Sequence, residues 1–242
     1  MKNAFSPPTL ITRLFSHPKT AYPHKLGAKP AAFARGNGIG RTMSAFRYGT
    51  SEIEHLKKRD RRLGIAIDQI GMIERAITPD IFTAIVASVA GQQISAKAAE
   101  TVWNRMEERF GIITPITLSA ATDEEIRQCG ISLRKAGYIK GITTAVADGN
   151  LDLDGLHELS DEDVISRLTA LRGVGIWTAE MLLIFAMERP DVVSWGDLAI
   201  RRGMMRLYGK ESINRAAFER YRKRYSPHGS VASLYLWEIA HR

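Results

Sequence analysis

The chain is short of several things, and each scarcity excludes a class of protein. It holds one cysteine, Cys129, in 242 residues. One thiol forms no internal disulfide and assembles neither a Cys-ligated zinc site nor an iron–sulfur cluster. Cys129 reads as a small, half-buried core residue. No apolar run reaches the roughly 18 residues that a membrane span needs. No stretch shows a convincing series of strand-like alternations. Acids are missing from residues 1–50, which carry eight Lys and Arg.

That last absence accounts for the net charge. The formal value is +8, yet residues 51–242 hold 26 charges of each sign. A nucleic-acid partner of that part would have to be met by local patches and backbone dipoles, not by bulk charge. Residues 1–50 have scattered Pro and Gly and no helical period, so they read as a basic, poorly ordered extension. Three readings stay open for it: a basic arm on DNA, an organelle transit peptide, or an extension upstream of a true start at Met43.

What is present is helix after helix. In TPDIFTAIVASVAGQQ, Thr78 is the expected cap and Pro79 the first helical residue, with Ile81, Ile85, Val86 and Val89 on one face. The segment from Ser95 to Gly111 buries Val102, Trp103, Met106 and Phe110. TDEE at Thr122 is a capping box. Further helices are expected over about 134–147, from Ser160, and near 178–188, 197–208, 214–225 and 230–240. Short connections between amphipathic helices predict an all-α protein.

The stretch LRGVGIWTAEMLLIFAMERPDVVSWGDLAIRR, from Leu171 to Arg202, carries the chemistry. Leu-Arg-Gly-Val-Gly turns one helix back into another. Gly173 and Gly175 permit positive φ and close approach of an outside group, while Leu171 and Val174 pin the turn to the core. The second helix offers free N–H groups and a positive dipole end to an anion, a phosphate above all. A plain turn would use the same glycines. Asp197 falls at the next helix start, where an ordinary N-cap would also be an Asp. An anion beside a phosphate-binding turn is electrostatically odd. It makes sense where positive charge develops, as on a sugar losing its base.

The pattern LxGxGxWTA…D resembles the helix–hairpin–helix DNA glycosylases, and within them the 3-methyladenine DNA glycosylase II branch. FTAIVASVAGQQISAKAA, GISLRKAGYI and PHGSVASLYLW are similar to further segments of that branch, so the likeness covers about residues 50–242. The resemblance implies an all-α, two-lobed fold. The active-site cleft lies between the lobes, and the hairpin 171–176 and Asp197 belong to the second lobe. It implies that Asp197 is the catalytic carboxylate, stabilising the cationic sugar and handling the attacking water. Trp177 and Trp237 match positions lining the pocket for an extruded base, as do Met181, where the family often has an aromatic, and Gln93. Electron-rich rings would attract cationic, alkylated purines. The backbone of Arg172, Gly173, Val174, Gly175 and Ile176 would grip the strand. Leu133 matches the side chain that fills the vacated stack. Gln92 and Arg134 would approach DNA, and Lys135, Arg201 and Arg202 are further candidates for phosphate contact. Leu133, Trp177 and Trp237 also have a plainer reading as core residues.

The hairpin carbonyls of Thr169, Leu171 and Val174 match those that hold a monovalent cation, Na+ or K+, in the family; no other cofactor is implied. Relatives that also nick the strand carry a Lys where this chain has Trp177, and no lysine lies between Lys140 and Lys210. The expected enzyme is therefore monofunctional and leaves an abasic site. The implied partner is double-stranded DNA with a damaged base. The implied location is the nucleoid in a bacterial cytoplasm or the nucleus of a eukaryote, without secretion. Nothing in the sequence demands more than a monomer. A non-catalytic DNA-binding module and a glycosylase for oxidised or mismatched bases remain as alternatives.

Overall fold

The computed structural model describes residues 44–242. The expectations for residues 1–43, including a start at Met43, lie outside the described residues. Packing begins before residue 51, however. Ser44–Ala45 (β1) pairs antiparallel with Ala76–Ile77 (β2). Phe46 is buried, the Tyr48 hydroxyl bonds to the backbone of Ile73, and Arg47 forms an ion pair with Glu188 at 2.9 Å. Residues 44–50 therefore belong with the packed helices, because Phe46 and Tyr48 have core to bury against.

Twelve α-helices make up most of the rest of the described residues. They are α1 (Thr50–Arg59), α2 (Arg61–Ile70), α3 (Ile81–Gly91), α4 (Ala96–Phe110), α5 (Pro115–Ala120), α6 (Asp123–Gln128) and α7 (Leu133–Ala147). After a 3-10 turn come α8 (Asp161–Thr169), α9 (Ile176–Phe185), α10 (Leu198–Tyr208), α11 (Arg215–Tyr225) and α12 (Gly229–His241). None is long and apolar enough to cross a membrane.

The starts of these helices are written in single side chains. Asp80, Ser95, Thr114, Thr122, Ser132, Ser160, Asp197 and Asn214 each accept the backbone N–H three residues on. Each such bond satisfies an otherwise orphaned donor and contributes about 1 kcal/mol. The cap expected at Thr78 is in fact Asp80, whose Oδ1 takes Thr83 N–H at 2.6 Å. Thr78 instead lies before the helix and donates its N–H to the carbonyl of Phe185 at 2.8 Å. The single apolar face expected for α3 is also too narrow: nearly every residue of the helix is buried, so it runs through the protein's interior.

The helices pack in two groups. In one, α7 lies against α3, α5 and α6, and α4 against α3. The other is built from the two ends of the described chain: α1 and α2 pack with α10, α11 and α12. A single buried cluster runs through both, so the lobes share one hydrophobic core. The hairpin between α8 and α9 leans on the first group through α3, while Asp197 caps α10 of the second. The expectation that hairpin and Asp197 belong to one lobe is thus corrected: they meet where the lobes join. Asp60 fastens the end-built lobe. It caps α2 and also accepts from Tyr208 Oη at 2.6 Å and Arg224 at 3.1 Å, so that two side chains from distant parts of the chain converge on one buried carboxylate.

The pair α10–α12 is the tightest contact. A Cβ at Gly203 would run into the backbone carbonyl of Leu236, which cannot move without shifting α12. Gly203→Ala is therefore expected to cost about 3 kcal/mol of stability, the upper end for overpacking. Urea unfolding checks this, and a loss below about 1 kcal/mol would show that the two helices slide apart at little expense.

Candidate active site

The hairpin forms as its residues dictate. Val174 is buried and its N–H returns to the carbonyl of Leu171 at 3.1 Å, closing the turn. Gly173 has φ +92°, and a Cβ there would collide with the ring of Tyr138 on α7. Gly175 differs from the expectation of positive φ at both glycines: it is extended, at φ −98°. It is the N-cap of α9, makes no side-chain cap and is exposed. A Cβ there would meet nothing within 4 Å. The uncapped N-terminus of α9 therefore faces open space, with Arg172 and Ile176 exposed on either side.

Asp197 sits twenty residues beyond Trp177, and the fold brings the two into contact. Asp197 Oδ1 accepts Ile200 N–H at 2.9 Å, and Oδ2 accepts Trp177 Nε1–H at 2.9 Å. Both carboxylate oxygens thus have donors. The carboxylate is not open to a cleft as expected: Asp197 is 1 % exposed. The half-buried Trp177 indole lies against Oδ2, and the backbone of the α10 start lies against Oδ1.

The loop that carries Asp197 is riveted to α12. Ser230 Oγ accepts Val192 N–H at 3.0 Å and donates to the carbonyl of Arg189, while Ser233 Oγ donates to Val192 O at 2.9 Å. Asp191 takes Gly229 N–H at 3.0 Å and the Ser226 hydroxyl at 2.6 Å. The small and hydroxylated residues of SPHGSVAS therefore hold the approach to Asp197 in place.

The sequence reading missed Glu180. It lies one turn after Trp177 on α9 and accepts the hydroxyl of the fully buried Ser194, whose carbonyl in turn holds Asp197 N–H at 3.4 Å. A carboxylate inside the apolar run TAEMLLIF was the available signal. Burial pushes the Glu180 carboxyl above its ordinary range; the Ser194 bond and Arg215 pull it down and Asp197 pushes it further up.

Other expected residues are placed elsewhere. Met181 and Trp237 are both 1 % exposed, which corrects their assignment to an open base pocket. α9 is apolar nearly all round and runs through the core, so Met181 has no route to solvent. Trp237 stacks on Phe185 at 5.5 Å, and Phe185 lies about 12 Å of helix rise from Trp177. Trp237 Nε1 finds no acceptor among the described residues, an unusual state for a buried donor. Gln92 does not reach outward: its Nε2 donates to Gly173 O at 2.8 Å, satisfying a half-buried carbonyl of the hairpin. Gln93 is exposed in the turn after α3, in the left-handed region at φ 57°, and nothing places it beside Asp197. Leu133 is 62 % exposed at the start of α7, and Arg134 beside it is exposed. Lys135 turns inward to backbone carbonyls instead of outward to phosphates. Arg202 is exposed, whereas Arg201 lies 5.0 Å from the ring of Trp195. Trp195 itself is wedged between Arg201, Arg215 and Phe218.

The carbonyls of Leu171 and Val174 belong to the hairpin and that of Thr169 to the end of α8, and residues 169–176 carry no carboxylate. No group of three His, Cys, Asp or Glu able to hold a metal occurs among the described residues. Neutral oxygens alone fit a weakly held monovalent ion better than a divalent one, whose sites are built on carboxylates.

An uncapped helix start at a glycine hairpin, linked through Trp177 to a carboxylate where two helical lobes join, defines a class. The family model described as HhH-GPD superfamily base excision DNA repair protein matches residues 86–227. The chain belongs to the HhH-GPD superfamily. It is 34 % identical over 161 residues to DNA-3-methyladenine glycosylase 1 of Schizosaccharomyces pombe, covering 64 % of this chain and 71 % of that one. Among solved structures it is similar to a DNA-3-methyladenine glycosidase from Bacillus halodurans, at TM-score 0.73 and 36 % identity, over 82 % of this chain and 93 % of that one. It is also similar to the Schizosaccharomyces pombe 3-methyladenine DNA glycosylase in complex with abasic DNA, at TM-score 0.69 and 30 % identity, over 78 % and 96 %.

Glu180 yields a prediction about pH. Its pKa is raised in the folded protein, so its contribution favours folding below the unfolded carboxylate pKa and is lost as pH rises through the folded value. Glu180→Gln removes that dependence. The variant is expected to melt higher than wild type at pH 8, with the gain shrinking to nothing at about pH 4. Thermal unfolding across that range tests it; a variant less stable at pH 8 would mean that the pairing with Ser194 and Arg215 outweighs the cost of burial.

Proposed function

We propose that this protein is a monofunctional DNA glycosylase that hydrolyses the N-glycosidic bond of alkylated purines, of the 3-methyladenine and 7-methylguanine type, in duplex DNA. The observation that carries the reading is the junction of the lobes, where an anion-binding hairpin and the Asp197 carboxylate are linked through Trp177. The relatives named above, all 3-methyladenine glycosylases by description, support the same substrate class.

The chemistry follows from charge. The alkylated base is cationic, so when the C1′–N bond breaks it takes the bonding pair and leaves neutral. The deoxyribose is left as an oxocarbenium-like cation. A carboxylate held by two N–H donors stabilises that cation without having to reorganise. Water then adds to C1′ and releases a proton, with Asp197 orienting the attack. The hairpin N–H groups hold a phosphate of the same strand meanwhile. Na+ or K+ on the carbonyls of Thr169, Leu171 and Val174 would add positive charge beside that phosphate.

Trp177 has two parts in this reading. In the free protein its indole covers Asp197. A flipped nucleotide has to displace that indole, and the ring then offers its face to a cationic base. With Trp at that position, and no lysine from residue 141 to 209, the chain has no amine there to form a Schiff base with C1′. The place of work is the cell's duplex DNA, at the nucleoid of a bacterium or in the nucleus of a eukaryote, and one copy of the chain suffices.

Asp197→Asn keeps the cap on α10 through its side-chain oxygen and loses the bond from Trp177 Nε1–H, which an amide NH2 does not accept; with the cap kept it should still fold and bind methylated duplex DNA. It is expected to release base roughly a hundredfold to ten-thousandfold more slowly. Release of 3-methyladenine and 7-methylguanine under single-turnover conditions measures this, and release at the wild-type rate would remove Asp197 from the chemistry. Borohydride should trap no protein–DNA adduct with the wild type. A covalent adduct would establish lyase chemistry and refute the monofunctional assignment.

A further inference from the structure

Lys135 is the second residue after Leu133 on α7, in a segment of basic residues where phosphate contact is the natural expectation. Its ammonium does something else. Nζ donates to Ala90 O at 3.0 Å and to Gln92 O, at the C-terminal end of α3. Those carbonyls have no partner further along the helix and carry its negative dipole end, so a cation suits them. Gln92 then continues the chain of bonds: its Nε2 donates to Gly173 O at 2.8 Å. One turn on from Lys135, the ring of Tyr138 fills the space where a side chain on Gly173 would stand. α7 therefore meets the hairpin at two points on one face, by packing through Tyr138 and by hydrogen bonds through Lys135 and Gln92.

Leu133, 62 % exposed, is the first residue of that same helix, and Ile176, 63 % exposed, follows the hairpin. A large apolar side chain held in water at a helix start costs free energy unless something else covers it. Burial of Leu133 against DNA is part of the function proposed above, and the present inference rests on it. We propose that Lys135 is a positioning residue: through Gln92 it locks the helix that carries Leu133 to the phosphate-gripping hairpin. The insertion of Leu133 and the grip on the strand are then in fixed register. Lys135 does not touch DNA.

The experiment combines three variants with two readouts in the full-length chain. The variants are Lys135→Met, which keeps the aliphatic stem; Lys135→Arg, which restores a cationic donor; and Leu133→Ala. The first readout is the salt dependence of binding to methylated duplex DNA. A lysine that neutralises a phosphate would lower the slope of log K against log salt by about one when removed. Lys135→Met is expected to leave the slope unchanged, while Arg134→Ala serves as the exposed comparison. The second readout is the fluorescence of 2-aminopurine placed beside the lesion, which follows base extrusion. Lys135→Met is expected to slow the rise between about tenfold and a hundredfold, the scale for a misplaced group, and Lys135→Arg to recover most of it. In a Leu133→Ala background, Lys135→Met should add less than about twofold, because the two residues act through one step.

A slope reduced by one, or effects of Lys135→Met and Leu133→Ala that multiply, would overturn the inference. So would Lys135→Met matching wild type in extrusion. Melting of all variants, with Lys135→Arg as the folded reference, separates loss of register from loss of fold. Failure of the proposed function itself looks different: the wild type would then show no fluorescence rise and release no methylated base, whatever stands at position 135.

Discussion

The hydrogen bond from Trp177 Nε1 to Asp197 Oδ2 is the interaction on which the rest of the site depends. It spans the junction between two groups of helices. One partner follows the hairpin on a helix that leans on the first group, and the other caps a helix of the second. A buried carboxylate without donors would carry a large desolvation penalty. Here the penalty is offset by one backbone and one indole N–H, and the same bond sets the distance between the hairpin and the carboxylate. Both reagents of the proposed reaction, the grip on the phosphate and the charge under the sugar, are registered by one contact.

Much of the surrounding structure can be understood as holding the two ends of that bond still. On the Asp197 side, Ser230, Ser233 and Asp191 bind the incoming loop to α12, and Glu180 holds Ser194. On the hairpin side, Gln92 takes the carbonyl of Gly173 and Tyr138 packs against its α-carbon. The polar supports are buried or half-buried, and each closes a bond that would otherwise go unsatisfied. The unpaired indole nitrogen of Trp237 stands apart from this pattern. It lies two turns of α9 away from Trp177, in the core, and the hydrogen bonds described here give it no role.

A closed carboxylate in the free protein is compatible with hydrolysis only if opening is cheap. Opening on the Trp177 side breaks one hydrogen bond from a half-buried indole, a net interaction of about 1.5–3 kcal/mol for a bond to a charged group. An extruded base that stacks on the indole returns a comparable amount. The exchange of partners can therefore be nearly balanced, and it keeps the carboxylate out of water until a nucleotide arrives.

The helical class, the caps at Ser95, Thr122 and Ser160, the hairpin at Gly173 and the helix start at Asp197 are local matters, because each is set by residues within one turn of one another. Sequence alone determined these, and resemblance in motif order determined the family. Tertiary structure decided what depends on contacts across long separations. It put Met181 and Trp237 in the core, since a helix that crosses the interior buries every face and periodicity does not say which face would have stayed open. It turned Gln92 and Lys135 inward, because a polar side chain goes to the nearest unsatisfied carbonyl and the chain does not announce where that carbonyl will be. It joined Trp177 to Asp197 and revealed Glu180 beside them, a meeting of residues that only the packing of two lobes on one core could bring about.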